Sequence, residues 1–494
     1  MNNIIRSIKK QVLGFHRSNK RIWINHGTIT GASLNAGDSV EYIYDEANTQ
    51  LIIKKSPNGT HKIASTHKGG VIDIVNARLT TLFKDHEYVD VITENEKIIV
   101  KGHWAKSQII EREQALIRRV QTGEPIRKGG GCAGIGLLCR SIHRGIKQAG
   151  IAVKQRFANE SNELAAEVNM SGNEIWHDAT DDAVFVVDDM FTMDFSLIPK
   201  LDVLVIGSPC TPFSQVNTHM RRDAKTDIFH PSAGTTFQPI LEMIRRSNPA
   251  VVLLENSKFF SDSIFDYVMS DVMKRFGYRS QSTVVTGKAH GDFEIRERLC
   301  RFWISEGLPE IDLNDLPFQM ENDQVLADIL EPISDEDSRW GRRKYLEAKD
   351  KESHNAHRYC ITPLNASTVP TLGANYHKIQ PDSCMIEHPS KPLVTRILTA
   401  SEHCNLRGIE GCLKEQVQAV EAGVHYSQQS NRTNAKEAHR MLGNSCAPKA
   451  WISVGYRFGE WMKSLVTPVK PVRVEEKRVI PEQMMFSFLF QPNH

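Results

Sequence analysis

No stretch of this 494-residue chain approaches the ~18 consecutive apolar residues that a membrane-spanning helix needs, so no membrane partner is expected. The N-terminus has basic residues but no continuous apolar run and no small-residue cleavage site, so no secretory signal is expected either. Nine cysteines, at 132, 139, 210, 300, 360, 384, 404, 412 and 446, include no Cys-x-x-Cys pair. That argues against a zinc module and a disulfide framework, and for a reducing cytoplasm; no metal site is expected. An excess of one charge is also missing. Lys+Arg is 61 against Asp+Glu 59, a net +2, which excludes a chain basic throughout and an acidic disordered one.

That balance is a cancellation between regions. Glu306 to Ser338 holds eleven acidic residues and no Lys or Arg, while the first twenty residues hold five basic groups and no acid. The remainder is distinctly basic, which keeps nucleic acid open as a partner.

Residues 1–20 read as a basic tail. Two similar segments follow over 21–103, with Leu34 aligned to Phe83 and Val40 to Val89. Each is a set of short alternating strands broken by polar turns, and two such copies pair into one small all-β domain. The apolar strand, then Leu-x-x-Gly-Asp, then a hairpin resembles the swapped-hairpin barrels of AbrB-like transcription factors. That implies dimerisation, packing or DNA contact. Residues 104–122 read as a linker helix.

From 123 to 465 apolar strands alternate with amphipathic helices, the pattern of a parallel, doubly wound sheet. Strands are expected at 183–187, 203–206, 250–254 and 302–305, and helices at 137–149, 161–169, 236–246 and 263–276. The tail from 466 is Pro- and charge-rich and ends in the apolar run Gln483-Met-Met-Phe-Ser-Phe-Leu-Phe490.

Chemistry-bearing residues fall at strand ends, where open α/β sheets place their ligands. Pro209-Cys210 follows the strand Leu201–Gly207, a position that suits a nucleophilic thiolate. The next strand ends in Glu255-Asn256, and Glu294-Ile-Arg296-Glu-Arg298 precedes another. Two arginines at i, i+2 on extended chain face one way and suit a phosphate or the polar edge of a base. On the amino side, Gly129-Gly-Gly-Cys-Ala-Gly134-Ile-Gly136 opens a helix, and Glu160 and Asp188-Asp189 end the following strands. Together these make a nucleoside-binding series.

This order of elements resembles the DNA (cytosine-5)-methyltransferase family over about residues 125–460. Pro370-Thr-Leu-Gly-Ala-Asn-Tyr, Arg396-Ile-Leu-Thr-Ala-Ser-Glu402, Leu406-Arg-Gly408 and Leu442-Gly-Asn444-Ser445 continue it. The resemblance implies a Rossmann-like S-adenosylmethionine-dependent methyltransferase with an inserted target-recognition region at about 306–392. It implies methyl transfer to C5 of a flipped cytosine at a specific duplex DNA site. Cys210 would add to C6, Glu255 would hold and protonate N3, and Arg298 with Arg296 would steady the base and its phosphate. Asn256 would fix the loop of Pro209 and Cys210. S-adenosylmethionine would lie against Ala133, Gly134, Ile135, Gly136, Glu160, Asp189, Phe237, Asn444 and Ser445. DNA contacts are expected from Ser214, Arg221, Arg222 and Lys225 in a lid after Cys210, and from Arg339, Arg342 and Arg343.

Two positions depart from the family pattern. Gly130-Gly131-Cys132 stands where an Asp-Leu-Phe-type run is usual, and Glu294 where Gln is usual, a change expected to bear on phosphate contacts. Rival readings are a tRNA-directed relative, whose Cys-Phe-Thr signature is absent, and a non-enzymatic DNA-binding regulator with an idle methyltransferase fold. Implied partners are duplex DNA, a cognate restriction endonuclease and a second copy through the N-terminal domain, in the cytoplasm of a bacterium or phage-infected cell. Protection against that endonuclease, action alone and service to a phage all stay open.

Overall fold

The computed structural model describes residues 7–210, 234–347, 361–379, 383–428 and 434–467. β1 (Ser7–Val12), β2 (Gly14–His16), β3 (Asn19–Ile24), α1 (His26–Gly31), β4 (Ser39–Asp45) and β5 (Gln50–Lys55) form one repeat. β6 (His61–Lys62), β7 (Ala64–Thr66), β8 (Gly69–Val75), α2 (Ala77–Leu82), β9 (Tyr88–Glu94) and β10 (Lys97–Gly102) form the second. The repeats interlock. β1 pairs with β9 and β6 with β4, while β3 pairs with β8 and β5 with β10, all antiparallel. Two short hairpin sets cannot each close a core, but intertwined they bury one between them. Leu34, Phe83, Val40 and Val89, paired by the repeat, are all fully buried in it. The domain therefore closes its core within one chain, and the second copy expected from the sequence is not needed for that.

The expected tail over 1–20 is corrected by the structure. Residues 7–12 and 14–16 are strands, and Lys20 is buried, donating from Nζ to the carbonyls of Phe83 (2.5 Å) and His86 (2.6 Å).

α3 (Trp104–Thr122) spans the predicted linker. It is docked rather than loose. Arg112 donates to Ser305 Oγ (2.8 Å) and to the carbonyls of Phe276 (3.0 Å) and Gly277 (2.7 Å), and its guanidinium lies 3.7 Å from the Tyr278 ring centre.

The second body is a seven-stranded sheet. Its elements are β11 (Ile126–Gly131), α4 (Leu137–Gln148), β12 (Val153–Glu160), α5 (Glu163–Gly172), β13 (Val184–Val187) and β14 (Val203–Gly207). They continue with α6 (Phe237–Ser247), β15 (Val251–Asn256), α7 (Ile264–Arg275), β16 (Tyr278–Thr286) and β17 (Glu297–Ser305). The strand order is β13-β12-β11-β14-β15-β17-β16. Alternate residues of the central strands enter opposite cores: Val203, Val205, Val251 and Leu253 on one side, Leu204, Ile206, Val252 and Leu254 on the other. Burial on both faces is why these strands read as continuous apolar runs.

The expected sheet, parallel throughout, needs one correction. β17 runs antiparallel to both β15 and β16, because the short link after β16 holds no crossover helix.

The chain then returns. A helix over Pro448–Ser464 packs on α4 so closely that a Cβ on Gly145 would lie 2.2 Å from the Ile452 carbonyl oxygen, and one on Gly455 2.6 Å from that of Ile142. The insert begins later than the expected 306 and runs past 392. Leu308, Ile311, Leu313 and Leu316 join the core of the main sheet, so the first part of the acidic run lies along that body. A separate core begins with Leu326 and Ile329 and includes Val369, Leu372, Tyr376, Cys384, Ile386 and Leu398. It carries a three-stranded sheet of Gly341–Arg342, Val394–Arg396 and Ile386–Glu387.

Candidate active site

Cys210 stands three residues beyond the end of β14. Beside it, Glu255 near the end of β15 sits in register with Gly207 on one side and Cys300 on the other. Arg298, at the start of β17, reaches back across the register and places Nε 2.9 Å from Glu255 Oε1, with both side chains mostly shielded from water. Burial pushes the Cys210 thiol above its ordinary range and Glu255 adds to the rise, while Arg298 and Arg296 pull it back toward the thiolate. The next strand residue, Asn256, is buried. It donates to Ser208 Oγ (3.1 Å) and accepts from the Ser257 N–H (2.7 Å), so the end of β15 grips the residue that leads into Pro209-Cys210.

Arg296 and Arg298, expected to act together, separate. Arg296 is buried and donates to the carbonyls of Leu372 (3.3 Å) and Gly443 (2.9 Å). Burial, then Arg298 and Arg407, lower its pKa to about 9. Its fork is engaged by backbone, which leaves only Arg298 of the two beside Glu255. Glu294 is also buried and lies 2.8 Å from Arg407, so its effect on phosphate contacts is corrected to an internal pairing.

At the other end of the edge, Gly134 adopts φ +53° with open space where a side chain would project, and Gly136 adopts φ +77°. A Cβ on Gly136 would fall 2.5 Å from Asn169 Oδ1 and 2.4 Å from Asn173 Nδ2, so only glycine fits that turn. Asn169 donates to the Gly134 carbonyl (3.0 Å), Asn173 to that of Gly136 (3.2 Å), and Trp176 Nε1 to Asn169 Oδ1 (3.0 Å). The one sequence signal of these three supports is a pair of asparagines four apart, one on α5 and one just past its end. Ala133 donates from its N–H to the Asn159 carbonyl (2.9 Å), and Ile135 points into the core. Glu160 accepts from the Gly134 N–H (2.7 Å) and the Asn162 N–H (2.8 Å), one on each oxygen. A lone pair remains on each for a ligand hydroxyl. Val187, Asp188, Asp189 and Phe191 are exposed beyond β13. Phe237 packs edge-on against Phe265, Asn444 is exposed at the end of its helix, and Ser445 is half-buried.

A family model for the C-5 cytosine-specific DNA methylase matches residues 132–459. The chain belongs to that family. The Type II methyltransferase M.NlaX of Neisseria lactamica is 24% identical over 351 residues, covering 69% of this chain and 97% of its own length. M.BsuFI of Bacillus subtilis is 30% identical over 196 residues, 37% of this chain and 43% of its own. The solved structure of S. pombe Dnmt2 methyltransferase covers 69% of this chain and all of its own, with 18% identity and a TM-score of 0.51, a likeness of fold. This cytosine-5 DNA methyltransferase uses S-adenosylmethionine, and the residues present fit it. The open glycine backbone, a carboxylate with lone pairs to spare and an exposed apolar and acidic ledge suit a nucleoside with a diol.

The expected DNA contacts divide. Ser214, Arg221, Arg222 and Lys225 lie outside the described residues. Arg339 is paired with Asp337 (2.8 Å) and Arg342 with Glu347 (2.9 Å), while Arg343 donates to the Arg339 carbonyl (3.3 Å). No helix among the described residues is long and apolar enough to cross a membrane.

Proposed function

We propose that this methyltransferase acts on a cytosine flipped out of duplex DNA at a specific short site, through a covalent bond between Cys210 and C6. The observation that carries the reading is the Glu255–Arg298 pair beside Pro209-Cys210 at the carboxyl edge of the sheet. C5 of cytosine is too weak a nucleophile to take a methyl group unaided. Addition of the Cys210 thiolate to C6 forms the S–C6 bond and moves the C5–C6 π electrons onto C5. Glu255 holds and protonates N3, so charge does not build up on the ring, and Arg298 orients Glu255 while steadying the base. S-adenosylmethionine, when bound, supplies the methyl group for C5. Loss of the C5 proton then breaks the S–C6 bond and returns Cys210. A stacked base cannot present C6 to a thiolate, hence the flip. Asn256 positions the Cys210 loop, Ser214, Arg221, Arg222 and Lys225 contact the DNA, and so do Arg339 and Arg342, once released from their acidic partners, and Arg343.

The test is transfer of labelled methyl from S-adenosylmethionine to unmodified genomic DNA and to tRNA, by the wild type and Cys210→Ala. No transfer to DNA by the wild type sinks the proposal; transfer to tRNA alone redirects it. Duplex DNA carrying 5-fluorocytosine is expected to trap a covalent complex with the wild type and none with the alanine variant.

A further inference from the structure

Four segments far apart in the sequence meet at one buried carboxylate. Glu294 Oε1 accepts from the Leu372 N–H (2.7 Å) and from Arg407 Nη2 (3.0 Å), and Oε2 lies 2.8 Å from the same nitrogen. Arg407 also donates to the carbonyls of Leu442, Leu372 (3.2 Å) and Cys446 (3.5 Å). Arg296, whose Nη1 is 3.9 Å from Glu294, donates to Leu372 and Gly443. Backbone joins on as well: Ile295 N–H donates to Val369 (3.2 Å), Val369 N–H to Phe293 (2.8 Å), and Thr371 Oγ1 to Ile295 (2.9 Å). Gly443 rests so close to Gly373 that a Cβ would fall 2.3 Å from its carbonyl.

Two buried guanidiniums thus share Glu294 as their nearest counter-charge, Glu255 being paired with Arg298. A glutamine here would set an amide N–H₂ against an arginine N–H and remove the nearest counter-charge of both cations. Besides that of Leu372, the carbonyls these cations hold, of Leu442, Gly443 and Cys446, flank Asn444 and Ser445 in one turn. The same turn approaches the reaction centre, since Cys446 feels the charge of Glu255.

We propose that Glu294 is a positioning residue: through Arg407 and Arg296 its carboxylate fixes the Leu442–Cys446 turn, and so Asn444 and Ser445, against the recognition segment at 369–373 and the strand leading to Arg298. The inference rests on the assignment of Asn444 and Ser445 to the cofactor side. It makes S-adenosylmethionine affinity depend on a residue that does not touch the cofactor.

Calorimetric titration of the full chain with S-adenosylmethionine, without DNA, tests it. Glu294→Gln is expected to weaken binding roughly tenfold. Glu402→Gln breaks the other buried ion pair of the recognition region, Arg396–Glu402 (2.7 Å), which does not reach the turn. It is expected to lower the melting temperature while leaving the affinity unchanged. If Glu294→Gln does not fold, Arg407→Lys replaces it; the shorter reach keeps a charge for Glu294 but loses the Leu442 carbonyl, and weaker binding is again expected. Wild-type affinity in a folded Glu294→Gln or Arg407→Lys variant overturns the proposal, as does equal weakening by Glu402→Gln. A wild type that binds S-adenosylmethionine but methylates no DNA would instead sink the functional reading and leave this one standing.

Discussion

The two bodies of this protein differ in how much charge they bury. In the N-terminal domain the core is aliphatic apart from Phe83, and the few buried polar groups are Lys20, His86, Asp90 and Thr93, of which Lys20 alone grips distant carbonyls as a cation. In the methyltransferase domain Asp292, Glu294, Arg296 and Arg407 are all buried along the side where Cys210, Glu255 and Arg298 converge. A domain that only has to hold two repeats together can rely on strand pairing and apolar area. A domain that has to hold a thiol, a carboxylate and a cofactor turn in fixed relation uses charged forks, which grip distant carbonyls despite the desolvation cost. The placement agrees. α3 anchors to Phe276, Gly277 and Ser305, at the end of the sheet opposite Cys210, so the N-terminal domain is fastened away from the chemistry.

The largest expected effect breaks that contrast on the catalytic side alone. Cys210→Ala should lower methyl transfer by roughly 10³-fold or more, with the circular dichroism spectrum and both melting transitions unchanged. A variant that kept a substantial rate would show that the strand edge is not the site of the covalent step. Glu255→Gln comes next, at roughly 10²-fold in kcat, because the amide keeps a contact for Arg298 but has no proton to give N3. Equal loss in Glu255→Gln and Glu255→Ala would support that role; full activity in the glutamine variant would refute it.

The same contrast explains what the sequence disclosed. Val203–Gly207 and Val251–Asn256 are buried on both faces, so each reads as a bare apolar run, and the functional residues follow directly at its end. β16 reads like a loop because it is an edge strand whose polar run after the buried Tyr278, Arg-Ser-Gln-Ser-Thr, is exposed or half-buried. β1 read as a basic tail for the same reason: its Lys9 and Lys10 are exposed and its partner β9 lies some 80 residues later. The repeat offset was visible, since Leu34/Phe83 and Val40/Val89 keep the same inward phase, but interlocking of the copies leaves no local trace. Nor does the partner of Glu294, which lies 113 positions away. Its departure from the family pattern was legible; its meaning needed the fold.

On the N-terminal side the expected effect is on stability and not on rate. Ile22, in β3, is fully buried opposite Ile74 of β8, at the seam between the repeats. Ile22→Ala should cost about 3 kcal/mol, lowering the first transition in a calorimetric scan. At 25 °C the rate per folded molecule should stay that of the wild type. A proportional fall in kcat would mean that α3 transmits the state of the repeats to the sheet, and the two bodies would no longer be separable.

The smallest effect comes from acid, and it too should divide the bodies. Burial holds His143 at about 2 and His439 at about 4, and lowers His403 well below the ordinary imidazole range. All three are neutral in the folded methyltransferase domain, whereas the unfolded chain takes up protons near pH 6.5. Their contribution is complete above that value and is lost as pH falls below it. The loss is at most about 1.4 kcal/mol per pH unit for each group, until its own folded value is reached. The N-terminal core holds a single counterpart, His86, lowered chiefly by burial and then by Lys20. Asp292 and Asp266, raised by burial to about 7 and about 6, take up protons in the folded state and offset part of this loss, but between pH 7.5 and 5.5 the methyltransferase transition should still fall further than the N-terminal one. His439→Gln should narrow the gap, because glutamine has no proton to gain on unfolding. Parallel shifts of the two transitions would mean that these imidazoles are not what distinguishes the two cores in acid.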